Sequence, residues 1–183
     1  MTANTSDSAT REQLSQEQIT DLRQQVSLFL DENVYPVENI FQKDDEEAAS
    51  LMKDLQAKTK KMGLFAPHLP TEAGGMGIGF MPYVYLNEIF GRSPYAPPAF
   101  GAQAPDSGNA EILWQFGTPE QQKQWMEPLV NCEISSCFSM TEPDVSGADP
   151  TGLQTTAVRD GDDWVINGHK WFTSGGLKAS FAI

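Results

Sequence analysis

At 183 residues, with 39% hydrophobic side chains and a formal charge of −13, the chain has the composition of a soluble, acidic protein able to bury one core or two small ones. That charge argues against nucleic acid and anionic lipid surfaces as partners, since both call for a basic face. No apolar run approaches the ~20 residues of a membrane span, and Met1–Ser8 has neither the basic nor the apolar region of a secretory signal.

Residues 1–14 read as a disordered polar tail. Ser15-Gln-Glu-Gln18 has the pattern of a capping box, and Ile19, Leu22, Val26, Phe29 and Leu30 then fall on one helical face. Pro36 is expected to close that segment. A second helix is predicted from about Asp44 to Met62, burying Ala48, Leu51, Met52 and Leu55, with Gly63 at its C′ position. The acidic run Asp44–Glu47 suits its N-terminal dipole. Gly63–Gly79, with two prolines and five glycines, is a long loop, and its His68 reads as a packing histidine. Pro82 is expected to open a third helix through Tyr83, Leu86, Ile89 and Phe90, ending at Gly91. Pro94–Pro105 reads as a second loop. Asp106 then caps a helix to Phe116 with Ala110, Leu113 and Trp114 inward. Thr118-Pro-Glu-Gln121 opens a fifth, burying Trp125 and Leu129.

After residue 131 the pattern changes from helix to strand. Ser135–Met140 is a short extended run. Leu153–Val158 and Trp164–Ile166 read as a hairpin turning at Asp160-Gly161, Asn167-Gly168 as a second tight turn, and Lys170–Ser174 as a further strand. Cys132 and Cys137 have no His or Cys at metal-ligand spacing, so two reduced thiols and no metal site are expected. The sequence stops at Ser180-Phe-Ala-Ile183, in what reads as the middle of a strand. The expectation is a truncated chain with an unpaired, aggregation-prone edge.

Two stretches carry the candidate chemistry. Phe138–Asp149 leaves an apolar run, turns at a proline and enters a loop of small residues, where Gly147 and Ala148 let backbone N–H groups approach a ligand. Asn167–Ser174 joins an aromatic pair to two hydroxyls, which suits a flat ligand with polar edges such as a flavin ring. From the residues alone, an ordinary surface loop and hairpin is the favoured reading.

Thr141-Glu-Pro, the small-residue loop closed by Asp149, and Val165–Gly176 together resemble the acyl-CoA dehydrogenase family. Gly63–Pro70, Gly74-Gly-Met-Gly77 and Leu86–Ser93 are similar to that family's N-terminal helical domain, so the resemblance covers roughly residues 15–183. It implies an α+β fold, with an all-helical domain over 15–131 and the first, truncated part of an antiparallel β-barrel-like domain over 132–183. It also implies FAD. Backbone groups of Phe138 and Met140 and the Thr141 hydroxyl would face the flavin's pyrimidine edge, and the loop through Gly147 and Ala148 its pyrophosphate. Phe172, Thr173 and Ser174 would cover the ring and bring a hydroxyl near N5, with Trp171 as the alternative stacking residue.

The loop after Thr141-Glu-Pro is similar to the Glu-Pro-Asp-Val variant of one family branch. Ala148 stands where a serine is common, so substrate contact there is left to its backbone N–H. The implied activity of the intact protein is oxidation of acyl-CoA thioesters to 2,3-enoyl-CoA, of the fatty-acid β-oxidation type. Hydride would pass to flavin N5 and electrons onward to an acceptor protein, in a cytoplasmic homo-oligomer. The family's catalytic glutamate is expected beyond residue 183, and Glu142 matches a local structural acid. No residue of this chain is therefore assigned as catalytic, and the 183-residue chain alone is expected to be inactive. Two alternatives stand beside this reading: a flavin-dependent oxidase or monooxygenase on the same scaffold, and an acidic helical interaction module without cofactor.

Overall fold

Helix α1 (Gln16–Phe29) begins at its capping box. In the computed structural model, which describes residues 14–183, the Gln18 N–H donates to the Ser15 hydroxyl at 3.2 Å. The Ser15 N–H donates to the Gln18 side chain at 2.8 Å. Two of the N–H groups that a helix start leaves unpaired are thus satisfied. The tail expected over 1–14 lies outside the described residues except for Leu14, which packs partly buried against the helical core. Ile19, Leu22, Val26, Phe29 and Leu30 are all buried, as the spacing predicts.

Pro36 does not close the segment. The helical run passes through a wide turn at Leu30–Val34 and a tight one at Tyr35–Val37, then continues over Glu38–Phe41. A second irregular run follows the Thr118–Gln121 capping box: Pro119–Gln121, a wide turn at Gln122–Met126, then Glu127–Val130. In both, a wide turn ends two residues before a proline, Pro36 or Pro128. Widening draws the preceding carbonyls away from the ring, which would clash with them in a regular helix. Leu30, Val34, Met126 and Leu129 are buried along these runs, while Trp125 is half-buried.

Helix α2 (Glu46–Lys61) is capped by Asp45, whose carboxylate accepts the Ala48 N–H at 3.0 Å. It ends as expected at Gly63, which takes φ +71°. The Gly63 N–H donates to the Lys60 carbonyl at 3.0 Å and the Leu64 N–H to the Thr59 carbonyl at 2.9 Å. Those are the two bonds of a Schellman motif. Ala48 and Leu55 are buried, and Leu51 and Met52 pack half-buried on the same core.

Helix α3 (Phe80–Phe90) starts two residues before Pro82, which falls inside its first turn. The stretch Pro94–Pro105 is not a plain loop. It contains a helical turn, Ala96–Ala99, and delivers Phe100 fully buried into the core. The Phe100 ring lies 5.1 Å from Phe29 and 4.8 Å from Phe90. The Thr59 hydroxyl donates to the Ala99 carbonyl at 2.7 Å, and the Ala66 N–H to the Phe100 carbonyl at 2.9 Å. A single turn is too short to show a helical period, so the sequence conceals it. Helix α4 (Asp106–Phe116) takes Asp106 as its first helical residue rather than its cap. Ala110 is buried, while Leu113 and Trp114 are only half-buried.

The chain forms two compact units that divide between Cys132 and Glu133. In the second, β2 (Thr156–Asp160) and β3 (Asp163–Asn167) make the predicted antiparallel hairpin, with Asp160 opposite Asp163 and Thr156 opposite Asn167. β1 (Ser136–Cys137) and β4 (Phe181–Ala182) also pair, but in parallel. Parallel pairing needs a long connection, and residues 138–180 provide one. The content is α+β as expected, with this one departure from an antiparallel pattern. The terminal segment is bonded along one side: the Ile183 N–H donates to the Cys137 carbonyl at 3.0 Å, and the Ser139 N–H to the Ile183 carbonyl at 2.6 Å.

Two local readings are corrected. Asn167-Gly168 makes no tight turn, and neither residue takes a positive φ. Gly168 is required for another reason, because a Cβ there would overlap the Thr155 side chain. Lys170–Ser174 is not a strand, since Phe172 takes φ +52°, which no extended chain allows.

Candidate functional site

The two stretches singled out in the sequence lie side by side within the second unit, joined by polar contacts. The Ser139 and Thr173 hydroxyls are 3.2 Å apart. The Trp171 N–H donates to the Thr141 carbonyl at 3.1 Å. Lys170 donates through Nζ to the Met140 carbonyl and to Glu142 Oε1, each at 2.8 Å. Residues 139–142 and 170–173 are thereby held in fixed register.

Glu142 is buried and fully engaged. Its Oε2 accepts the Gln154 N–H at 2.7 Å, and its Oε1 accepts the Thr155 N–H at 2.9 Å besides the Lys170 ammonium. The ammonium first, and the Thr155 and Gln154 groups after it, hold the carboxyl at about 2. A general base works best with a pKa near the operating pH and a free oxygen within reach of the proton. Glu142 has neither in this arrangement, where it anchors the Gln154 and Thr155 backbone.

The sequence-predicted site residues fall into two groups. Met140, Thr141, Trp171 and Thr173 belong to the joined register. Gly147 folds back on Thr141, where a Cβ would meet the threonine methyl at 3.8 Å. The Phe172 ring sits 4.6 Å from that of Trp171, and Phe172 is 79% exposed. Phe138, Ala148 and Ser174 are exposed beside this group. The Ala148 N–H makes only a long contact, 3.4 Å, to the Ser146 hydroxyl. Asp149 closes the loop by accepting the Thr151 hydroxyl at 2.5 Å and the Thr151 N–H at 3.0 Å, and these two donors lower its carboxyl pKa.

Thr141 is half-buried, and among the described residues its N–H and hydroxyl make no hydrogen bond to the protein. Two donors side by side, next to an exposed aromatic pair, suit a planar ligand with polar edges. A flavin has that form. Sequence reasoning passed over Lys170 and Ser139. Both lie inside the quoted motifs, but only the pairing of the two stretches gives them partners.

The other candidates carry less. Neither ring nitrogen of His68 has a hydrogen-bond partner, its centroid lies 6.0 Å from that of Tyr83, and burial lowers its pKa to about 4. This is a packing histidine. Cys132 and Cys137 are free thiols, and burial raises the pKa of Cys132. Among the described residues no cluster of His, Cys, Asp and Glu is arranged to hold a metal ion, and no helix is long and apolar enough to cross a membrane.

Residues 16–133 match the acyl-CoA dehydrogenase N-terminal domain, and residues 137–183 match the acyl-CoA dehydrogenase middle domain. Mouse acyl-CoA dehydrogenase family member 10 is 38% identical over 167 residues, covering 86% of this chain and 16% of the mouse protein. A candidate acyl-CoA dehydrogenase from Mycobacterium abscessus superposes with a TM-score of 0.75 at 38% identity, over 88% of this chain and 43% of that one. An acyl-CoA dehydrogenase from Bacillus anthracis, solved as a complex with FAD, superposes with a TM-score of 0.64 at 25% identity, over 94% of this chain and 29% of that one. The chain thus spans less than half the length of each of these proteins.

Proposed function

We propose, for a chain that belongs to the acyl-CoA dehydrogenase family, that the intact protein binds FAD against Phe138–Thr141 and Trp171–Ser174 and oxidises acyl-CoA thioesters to 2,3-enoyl-CoA. The observation that carries this reading is the pair of unpartnered Thr141 donors beside the Trp171–Phe172 rings. The FAD complex of the Bacillus anthracis relative supports the choice of ligand.

FAD, when bound, supplies the hydride acceptor. The chain's own residues bind and orient it. The Thr141 N–H and hydroxyl, with backbone groups of Phe138 and the Met140 N–H, would hold its pyrimidine edge. Donors at that edge stabilise negative charge on the reduced ring. Gly147 and the Ala148 N–H lie toward the pyrophosphate, and the Ala148 N–H is also the contact offered to acyl-CoA. Phe172, or Trp171 in its place, would supply the aromatic face for the ring. The Thr173 hydroxyl meets that of Ser139 at 3.2 Å and keeps further hydrogen-bonding capacity, so Thr173 and Ser174 both offer a hydroxyl to the ligand. The α-proton is taken by a carboxylate outside these residues, since Glu142 is committed to Lys170 and two backbone amides. Electrons would pass on to an acceptor protein, and the intact protein would work as a cytoplasmic homo-oligomer.

The test is flavin absorbance of the purified intact protein, beside Thr141→Ala and Phe172→Ala variants. Bound FAD that both variants weaken is the expected result. No flavin even after reconstitution overturns the assignment. A dye-coupled assay with a panel of acyl-CoA thioesters checks the reaction, with turnover from the intact protein and none from the 183-residue chain.

A further inference from the structure

We infer that Lys170 and Glu142 form a charge-neutral clasp that aims the Thr141 donors at the bound ligand and fixes the electrostatic field they present. The inference rests on the FAD reading above and assigns to two residues a positioning role that the motif by itself does not give.

The geometry follows from the peptide plane. The Met140 carbonyl and the Thr141 N–H belong to one planar trans unit, so they point in opposite directions. Lys170 Nζ holds that carbonyl at 2.8 Å, which turns the Thr141 N–H to the other side. The next plane is fixed as well, because the Trp171 N–H donates to the Thr141 carbonyl at 3.1 Å. Thr141 is therefore gripped on both flanks while its own donors stay free of the protein. The grip depends on where the ammonium sits, and Glu142 sets that. The carboxylate binds Lys170 at 2.8 Å and is itself held by the Gln154 and Thr155 N–H groups, just ahead of β2. Side-chain exposure of 24% for Lys170 and 6% for Glu142 places the pair largely out of water, where charge is felt more strongly than at the surface.

An ammonium is a compact point charge with three donors, and two of them are used here. Because carboxylate and ammonium cancel, the clasp aligns the Thr141 peptide without adding net charge beside the ligand. Removing either partner leaves the other charge uncompensated beside Thr141, Glu142 as its chain neighbour and Lys170 through the Met140 carbonyl. A purely mechanical brace would respond to either loss in the same way, by loosening. A clasp that also balances charge responds with opposite signs.

The test uses the intact FAD-loaded protein and reads the flavin midpoint potential together with FAD affinity. Lys170→Met leaves the Glu142 anion, which opposes negative charge on the reduced ring, so the potential falls. Glu142→Gln leaves the Lys170 cation, so the potential rises. Lys170→Met also frees the Met140 carbonyl and weakens FAD by roughly ten- to hundredfold, the range for losing a charge-assisted hydrogen bond. Lys170→Arg keeps the charge but replaces a point donor with a planar fork, so its potential stays near that of the parent while its affinity falls. Arg159→Met, which removes a remote hairpin pair 3.9 Å long with Asp162, is the control that moves neither.

Potentials that shift in the same direction in Lys170→Met and Glu142→Gln, or in neither, overturn the inference. So does a Lys170→Arg protein whose potential follows Lys170→Met. If Lys170→Met fails to fold, Glu142→Gln decides alone: a raised potential keeps the inference, and a lowered or unchanged one overturns it, since loosening by itself would only lower the potential. A parent protein that holds no FAD at all breaks the functional reading instead, and the two failures are distinct.

Discussion

The helical unit and the β-unit are held together by different forces. In the first, Val26, Leu30, Val34, Leu55, Phe90 and Phe100 are essentially inaccessible and share one hydrophobic cluster. In the second, Cys137 is the one hydrophobic side chain that is fully buried among the described residues, and both faces of the hairpin are open, with Ile166 73% exposed. What fixes the second unit is directional: the ion pair of Lys170 with Glu142, two backbone amides on that carboxylate, and the Trp171–Thr141 bond. Hydrophobic burial is non-directional and tolerates small displacements, whereas a hydrogen bond specifies the position of a particular donor. A ligand's polar edge is matched by the second kind of structure, and that is where the candidate site lies.

Breaking the hydrophobic side of this contrast gives the largest effect. Phe100→Ala removes a ring packed between Phe29 and Phe90 and is expected to destabilise the helical unit by about 3–5 kcal/mol, read from the shift of a urea unfolding midpoint. Acid tests the same core through His68. Burial holds its folded pKa at about 4 against an unfolded value of 6.5, so between these limits the unfolded chain binds a proton that the folded chain does not. Stability then falls as the pH drops from 6.5 toward 4, by at most about 3 kcal/mol from this group. His68→Leu should flatten that part of the pH profile in parallel urea melts, and an unchanged slope would assign the acid sensitivity to carboxylates.

Smaller changes sharpen the contrast. Ser15→Ala removes the cap of α1 and should cost about 1 kcal/mol in thermal melts, with Ser15→Asn restoring most of it. The smallest effect belongs to the open hairpin: Ile166→Ser should shift stability by no more than about 0.5 kcal/mol. A loss above about 2 kcal/mol in the intact protein would show that this face is covered there, and that the hairpin depends on burial after all.

What the sequence determined on its own was whatever closes within a few residues. The capping boxes at Ser15 and Thr118, the buried face of α1, the glycine stop at Gly63 and the β2–β3 hairpin depend on hydrogen bonds and side-chain periods of two to five residues. The motif stretches were legible too, as were most of the residues that meet at the candidate site. Tertiary structure alone decided the rest. Phe100 enters the core from a turn too short to show a period, with the preceding Ala99 carbonyl held by Thr59 forty residues earlier. The wide turns before Pro36 and Pro128 let helical runs continue where proline suggests an end. Phe172 takes φ +52° while its neighbours Trp171 and Thr173 are tied to residues 139–141. Lys170 and Glu142 are 28 residues apart, and neither shows in the sequence which partner it will have. The wide turns are a local adjustment to the proline ring, while Phe100, Phe172 and the Lys170–Glu142 pair share one physical reason. Local bonds close at little cost in loop entropy and leave a local pattern, whereas long-range contacts are chosen by which surfaces the packed chain brings together.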